Sequence, residues 1–413
     1  MQKAALVSID QQNEAVIGAL HSARPHLIGL ERAGDVIPEL DSGLVLHAGP
    51  PIEWQDMVPA MKAAVAGGLV FDGKAQDLTL GHELAGSGAI RFAPAHDHRA
   101  AGAMTGIITA TMPVLVFEDE VSGERAYVTL NEGLGKTLRF GANGPDVLER
   151  LRWIRDRFAP LLKRALEIHG AMDIKRQVSE ALRRGDECHN RNKAATSGFL
   201  RAIAAPLVET QAPHADIAEA LRFIGGNDHF FLSLSIGHAK ATTLAMEAVG
   251  GGSLVTTMAG NGRNVGIRLS ATGKKWYTAP ASVANVKLFA GQSIADATPT
   301  MGDSYVTEVI GLGAFALSAA PAIAEFIGGT VEELIARSES MRAITVSEHP
   351  DFLIPALGFR GTACGIDVRR VAENGLAPLI NTGVASRVPG AGQIGAGTQS
   401  FPLQCFLDAA KGL

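Results

Sequence analysis

Between residues 225 and 281 the chain reads as a helix, a glycine break and a hairpin, and no other stretch constrains its fold as tightly. Phe230, Leu234, Ala241, Leu244 and Ala248 recur at helical spacing. Asn227 or Asp228 is placed to cap the start, because a short side-chain oxygen accepts unpaired first-turn N–H groups. Gly250, Gly251 and Gly252 predict the end, since glycine takes the left-handed cap without steric cost. The β-branched run 253–258, then Asn261-Gly262, then the run 265–269 predict a hairpin, Asn-Gly being the strongest short-range signal for one. His229, Ser233 and Lys240 fall off the apolar face. A lysine so placed is ordinarily a surface residue with its stem laid over apolar neighbours, and Asn261 ordinarily a turn residue. Recurrence argues for more than that. Glycine-flanked polar clusters of the same kind appear at least four more times along the chain.

With 413 residues the chain is expected to form roughly two or three domains. Hydrophobic residues are 46% and charged residues 19%, enough for a large core and too apolar for disorder. The net charge of -5 and the lack of a basic run exclude a nucleic-acid surface and a polybasic membrane patch. Cys188, Cys364 and Cys405 are odd in number, widely spaced and free of any Cys-x-x-Cys, which predicts a reduced, cytoplasmic protein. The N-terminal MQKAALVSIDQQNEA has no long apolar core, so no secretory signal is expected. The most apolar segment, 309–324, is too short to span a membrane and contains Pro321, so a buried helix is expected there.

Helices are expected over 10–20, over 54–66 with Gly67-Gly68 as its cap, over 146–167 with a kink at Pro160, and over 168–184, 198–207, 215–223, 331–342 and 402–410. Strands are expected over 26–36, 44–47, 107–117, 126–130, 362–371 and 376–380. Strands and helices do not alternate regularly, which points to an α+β chain of several mixed domains rather than a doubly wound sheet. Composition shifts divide it into an N-terminal α+β domain (1–144), a small inserted helical domain (145–224) and a C-terminal α+β domain (225–413).

The polar clusters carry the candidate chemistry. His96-Asp97-His98 precedes Arg99 and a glycine-rich GAMTG. On a strand alternate residues share a face, so His96 and His98 would bind a metal with Asp97 behind them, or transfer protons. The run 131–142 contains Gly-Lys-Thr but no P-loop, since Leu130 stands where that motif needs glycine. What remains is a glycine-relaxed loop whose Lys136 and Arg139 suit a phosphate or carboxylate, or a solvated connector. The run 185–192, GDECHNRN, is either a solvated loop or one presented into a cleft. Cys188 beside His189 raises the pairing of a nucleophile with a base. Gly302-Asp303-Ser304 is expected to open a helix whose N–H groups suit an anion. The glycine-rich 389–397 lacks the spacing of a dinucleotide fingerprint, and no cofactor is expected.

In this order, HAGPPIEW (47–54), HDH (96–98), NEGLGKTLRFGA (131–142), GDECHNRN (185–192), GNDHFF (226–231), GDS (302–304) and GQIGAG (392–397) resemble the YlbE-like family along nearly the whole chain. The resemblance implies an α+β fold with a small helical domain and a gene beside those of FdrA-like proteins, which resemble acyl-CoA synthetases. It also implies a subunit of oxamate carbamoyltransferase, which takes oxalurate and phosphate to oxamate and carbamoyl phosphate in allantoin degradation. Such transfer needs anion sites, donors for a developing oxyanion and an acid for the leaving nitrogen. Lys136, Arg139 and Lys240 are the candidates for anions, and Arg191 for a two-pronged grip on a carboxylate. His96, His98 and His229 are candidate proton donors, with Asp97 and Glu132 to orient a histidine or lysine. Asn131, Asn227 and Asn261 would orient an amide. Asp186, Glu187, His189, Asp228, Asp303 and Ser304 complete the expected substrate-binding set. Expected partners are a ureido or carbamoyl substrate, phosphate and an FdrA-like protein, in a homo- or hetero-oligomer without nucleic acid or membrane. Two alternatives stay open: a metal-dependent amidohydrolase using His96, His98 and His189, and a non-catalytic subunit that positions an FdrA-like partner.

Overall fold

The computed structural model describes residues 8–283 and 286–413. The first seven residues of the segment expected to lack a secretory signal lie outside them. The chain is α+β with several separate sheets. Among the described residues no helix is long and apolar enough to cross a membrane.

The helix Leu232–Val249 is the axis of the molecule, and every residue from Leu232 to Met246 is buried. It begins later than its expected cap. Asn227 forms a turn ahead of it, its carbonyl accepting from Phe230 N–H and its side-chain oxygen from His229 N–H. Gly250, with φ 70°, ends it as expected. A helix covered on all sides is a core helix rather than an amphipathic one, and small residues let its neighbours close in. Gly237 lies against the Phe117 ring so closely that a Cβ would overlap it. On another side Met246 packs with Val16 and Leu20 of the helix Ile9–Ser22.

Phe117 belongs to a five-stranded sheet, ordered Ala100–Ala101, Arg125–Thr129, Pro113–Asp119, Pro25–Arg32 and Met172–Asp173. All its pairings are antiparallel except the first. The expected strand from 107 starts only at Pro113, because Thr109 and Met112 close a turn before it. Met172–Asp173 also interrupts the expected helix over 168–184, which is reduced to Ile174–Leu182. Helices Pro145–Trp153, Ala159–His169, Lys193–Glu209 and His214–Gly225 complete this helical part of the chain. Pro160 has no N–H for the preceding turn, and the chain passes through a π turn at Ile154–Phe158 instead of breaking.

Gly67 and Gly68 do not cap a helix but lie inside one, Pro59–Phe71. A Cβ on Gly67 would come within 2.7 Å of Leu138 Cδ1, so these glycines admit the loop 131–142 against the helix. The expected hairpin is present, Val255–Asn261 with Asn264–Leu269. It is extended by Tyr277–Pro280 on one edge and Met301–Gly302 on the other. The apolar stretch expected as one buried helix is buried up to Ala320, exposed at Pro321 and Ala322, and broken. It forms 3-10 turns at Gly313–Ala319 and Pro321–Ile323, then a short helix Ala324–Ile327. Ala320 leaves helical geometry because the residue before a proline is pushed out of it. The strand expected over 362–371 is Arg360–Ile366, followed by a helix Val368–Asn374 that Asp367 caps. Leu379–Ala385 and Gln393–Ser400 form the last hairpin, and Gln404–Lys411 the closing helix.

Candidate functional site

Asp303 follows the two-residue strand Met301–Gly302, whose pairing with Gly260 and Asn261 fixes it at the end of the long hairpin. It is fully buried. Its carboxylate accepts from Gly49 N–H (2.8 Å) and Gly102 N–H (3.1 Å) and lies 3.5 Å from His96 Nε2. Burial raises its pKa to about 7, against the pull of these two amides and of Lys240. The expected anion site at Gly302-Asp303-Ser304 is therefore corrected. Asp303 N–H is spent on Gly102 O, the helix beyond, Val306–Val309, is a single turn, and the anion present is Asp303 itself. Ser304 is buried, and its carbonyl accepts from Thr307.

Three further motifs meet here. Gly49 (φ 81°) lies directly on Gly260, where any side chain would clash, and so the loop from His47 rests on the hairpin. Asn261 is more than a turn residue: its amide donates to Pro50 O (2.8 Å) while its oxygen accepts from Arg263 and Asn264. Lys240 is not a surface residue. It is fully buried, and its Nζ has no hydrogen-bond partner among the described residues. Burial brings its pKa down to about 8, with Glu247, Asp303 and Asp97 opposing the fall and Arg268 adding to it. His96 is likewise buried, with both ring nitrogens unbonded among the described residues. Burial, Lys240 and Arg268 hold it far below its usual pKa, hence neutral. His96 and His98 do not share a strand face, because Ala95–His98 is a 3-10 turn. His98 faces away and bonds Pro38 O (2.8 Å). Asp97 instead meets Arg268 (3.2 Å), which also reaches Glu247 (3.3 Å). Sequence reasoning passed over Arg268 and Glu247. The available signal was an arginine in the middle of the apolar strand Asn264–Leu269.

At the far end of the single-turn helix Val306–Val309 stands Glu308, also fully buried. It receives His189 Nδ1 at 2.9 and 3.1 Å, Thr307 Oγ1 at 2.9 Å, Asn381 N–H at 2.8 Å and Ala314 N–H at 3.2 Å. The loop carrying His189 is no solvated connector. Asp186, Glu187, Cys188 and His189 are all buried. Asp186 accepts from Ala195 N–H and so holds the start of the helix Lys193–Glu209. Arg191 spends its Nε on Gly185 O (2.9 Å) and lies 3.5 Å from Asp186. Glu187 accepts from His189 and Arg191 amides, and burial raises its pKa to about 7. Cys188 sits in the apolar core, where burial and two neighbouring acids push its thiol well up, so it is no activated nucleophile.

A third group borders this one. Asn227 donates to Asn131 Oδ1 (3.1 Å). Glu132 accepts from the amides of Leu138 (2.9 Å) and Arg139 (3.2 Å), and the Arg139 guanidinium donates to Gly133 O (2.6 Å). Burial raises the pKa of Glu132 and lowers that of Arg139 to about 10. His229 is neutral, held at about 3 by burial and by the nearby charges of Arg139 and His189. The last motif closes onto both groups: Gln393 N–H donates to Gly135 O (3.1 Å) and Asn190 to Gly397 O (3.4 Å). Lys136 and Asp228 stay outside. Lys136 is exposed, and Asp228 pairs with Lys193 at the surface (2.8 Å). Among the described residues no three His, Cys, Asp or Glu side chains are placed to hold a metal ion. His96, His98 and His189 each have a different partner, so the amidohydrolase alternative lacks its ligand set.

The family model for oxamate carbamoyltransferase subunit AllG matches residues 90–304. The chain is 42% identical over 409 residues to oxamate carbamoyltransferase subunit AllG of Escherichia coli (strain K12), covering 98% of each. It is 40% identical over 400 residues to the uncharacterized protein YahG of the same organism, covering 97% of this chain and 85% of that one. The crystal structure of a conserved protein of unknown function from Enterococcus faecalis V583 superposes with a TM-score of 0.96 at 41% identity, over 98% of this chain and 97% of that one.

Proposed function

Because the chain belongs to the family of oxamate carbamoyltransferase subunit AllG, we propose that it is a subunit of a carbamoyltransferase of that type. The observation that carries this reading is the 42% identity over 98% of both chains, which leaves no large region of either unmatched. In the reading we favour, the complex takes oxalurate and phosphate to oxamate and carbamoyl phosphate. It works in the breakdown of allantoin or a related ureido compound in the cytoplasm. The YlbE-like motifs support an FdrA-like partner, and the relative's own description as a subunit favours an assembly of several chains. We retain the three-part division at 144/145 and 224/225 as part of the proposal.

The chemistry needs cations for two anions. Lys240 is fully buried and Arg139 part-buried among the residues expected to bind them, Arg191 has only its Nε engaged, and exposed Lys136 is set aside. Asn131, whose buried side-chain nitrogen has no hydrogen-bond partner among the described residues, is the amide best suited to orienting the substrate, with Asn227 holding it and Asn261 engaged with Pro50, Arg263 and Asn264. The test is phosphate release from carbamoyl phosphate and oxamate, by the purified chain alone and mixed with its FdrA-like neighbour. Turnover is expected in the mixture, with Arg139→Ala raising the KM for phosphate in the opposite direction at least about tenfold, the effect of losing one charge-assisted contact. No turnover by folded proteins in the full mixture would overturn the reading.

A further inference from the structure

His189 and Glu308 form a buried ionisable pair, and sequence reasoning gave Glu308 no role. Glu308 is a fully buried carboxylate with four donors around it, two of them the backbone amides of Ala314 and Asn381 and a third the Thr307 hydroxyl, which Ser304 O also contacts. His189 is the fourth and the only one able to carry a balancing charge. Gly313 (φ 58°) completes the cradle, because a Cβ there would run into the Glu308 carboxylate and lie 3.1 Å from His189 Nδ1. Both contacts of the imidazole to Glu308 are at Nδ1, which also lies 3.1 Å from Thr307 Oγ1, and Nε2 makes no hydrogen bond to a described residue. A carboxylate on Nδ1–H fixes the ring's orientation and tautomer and leaves Nε2 as the working nitrogen.

We propose that His189 is the catalytic acid of carbamoyl transfer and that Glu308 is its positioning residue, holding Nδ1 so that Nε2–H faces the leaving nitrogen. This rests on the carbamoyltransferase reading above. A hydrogen phosphate oxygen attacks the ureido carbonyl carbon, and the bond from that carbon to the amide nitrogen breaks with its electron pair on nitrogen. His189 Nε2 gives that nitrogen its proton, and the imidazole recovers one from the hydrogen phosphate. The products are the free amide and carbamoyl phosphate, with no net change in protons or charge.

The charges around His189 agree with the role. Burial lowers its pKa, but the Glu308 charge and hydrogen bond, with Glu187 of its own loop, raise it further than burial lowers it, so it stands above its ordinary 6.5. On its own loop Asp186 and Arg191 are paired with each other and with Gly185. His229, from the turn before the central helix, is neutral, and the ring of Tyr305 lies 6.3 Å away. The other expected donors are poorer: His96 and His229 are held neutral far below pH 7, and His98 faces Pro38.

The test uses the full chain with nitrogen-labelled histidine, His189 being assigned through His189→Gln, and the reconstituted complex for rates. In the free chain His189 is expected to titrate above 6.5 with Nδ1 protonated throughout, and Glu308→Gln to lower that pKa by one unit or more. In the complex Glu308→Gln is expected to lower kcat about a hundredfold or more, to move the pH limb down with the pKa, and to change KM little. Glu308→Asp, which keeps the charge, is expected to retain the raised titration and decides the matter if the glutamine variant does not fold. A His189 that titrates at or below 6.5 in the wild-type chain, or rates lost in Glu308→Gln without movement of the limb, would overturn the inference. Absence of turnover in the wild-type complex would instead overturn the carbamoyltransferase reading, and the free-chain titration tells the two failures apart.

Discussion

Lys240 carries its ammonium where no described group hydrogen-bonds it. Its pKa falls from 10.5 to about 8, so the folded state holds the proton less well than the unfolded chain. Unfolding free energy then rises with pH between about 8 and 10.5, and at pH 7 the fold carries a cost of about 3 kcal/mol for this group. Lys240→Met is expected to be more stable than wild type at pH 7 by up to that amount, with most of the gain lost by pH 10. Chemical denaturation at the two pH values checks it. A less stable variant at pH 7 would show that the lysine is held by a partner. His238, two residues before it, acts with the same sign in a lower pH window. Both its nitrogens are unbonded among the described residues, and burial first, then Lys175, hold its pKa at about 3. As pH falls below 6.5 only the unfolded chain takes up the proton, so stability is lost toward acid. His238→Leu is expected to lose about 2 kcal/mol less than wild type between pH 7 and pH 5. Neither residue was legible as buried. A single lysine or histidine off an apolar stripe looks the same in sequence whether that side meets water or a second layer of core.

Elements were legible where local rules act alone. The hairpin around Asn261-Gly262, the helix expected over 10–20 and found as Ile9–Ser22, and the stop at Gly250 all depend on residues within a few positions of one another. They failed where a distant partner decides. Gly67 and Gly68 read as a stop but serve as a flat helix surface for Leu138 and Thr109. His96 and His98 read as a strand pair but turn apart on a 3-10 turn. Gly237 is the most demanding of such positions, since Phe117 occupies the space of its missing side chain. Gly237→Ala is otherwise favourable for a helix by about 1 kcal/mol, yet is expected to destabilise the protein by about 3 kcal/mol through overpacking. Thermal unfolding of the variant checks it. An unchanged or raised Tm would mean that the helix and sheet can part at no cost.

At the scale of the molecule, the order of the polar motifs was visible in the sequence but their meeting was not. Asp303 binds Gly49 and Gly102, Glu308 binds His189 and Asn381, Asn227 binds Asn131, and Gln393 binds Gly135. Glu308 and Arg268 escaped notice because each is a lone charge among apolar neighbours, its partners His189, Asp97 and Glu247 lying far from it in the sequence. The Gln393 contact has one more consequence. It ties the hairpin formed by Leu379–Ala385 and Gln393–Ser400 to a loop far earlier in the sequence. A chain cleaved ahead of that hairpin would keep most of the polar groups and lose the strap that draws two of the clusters together.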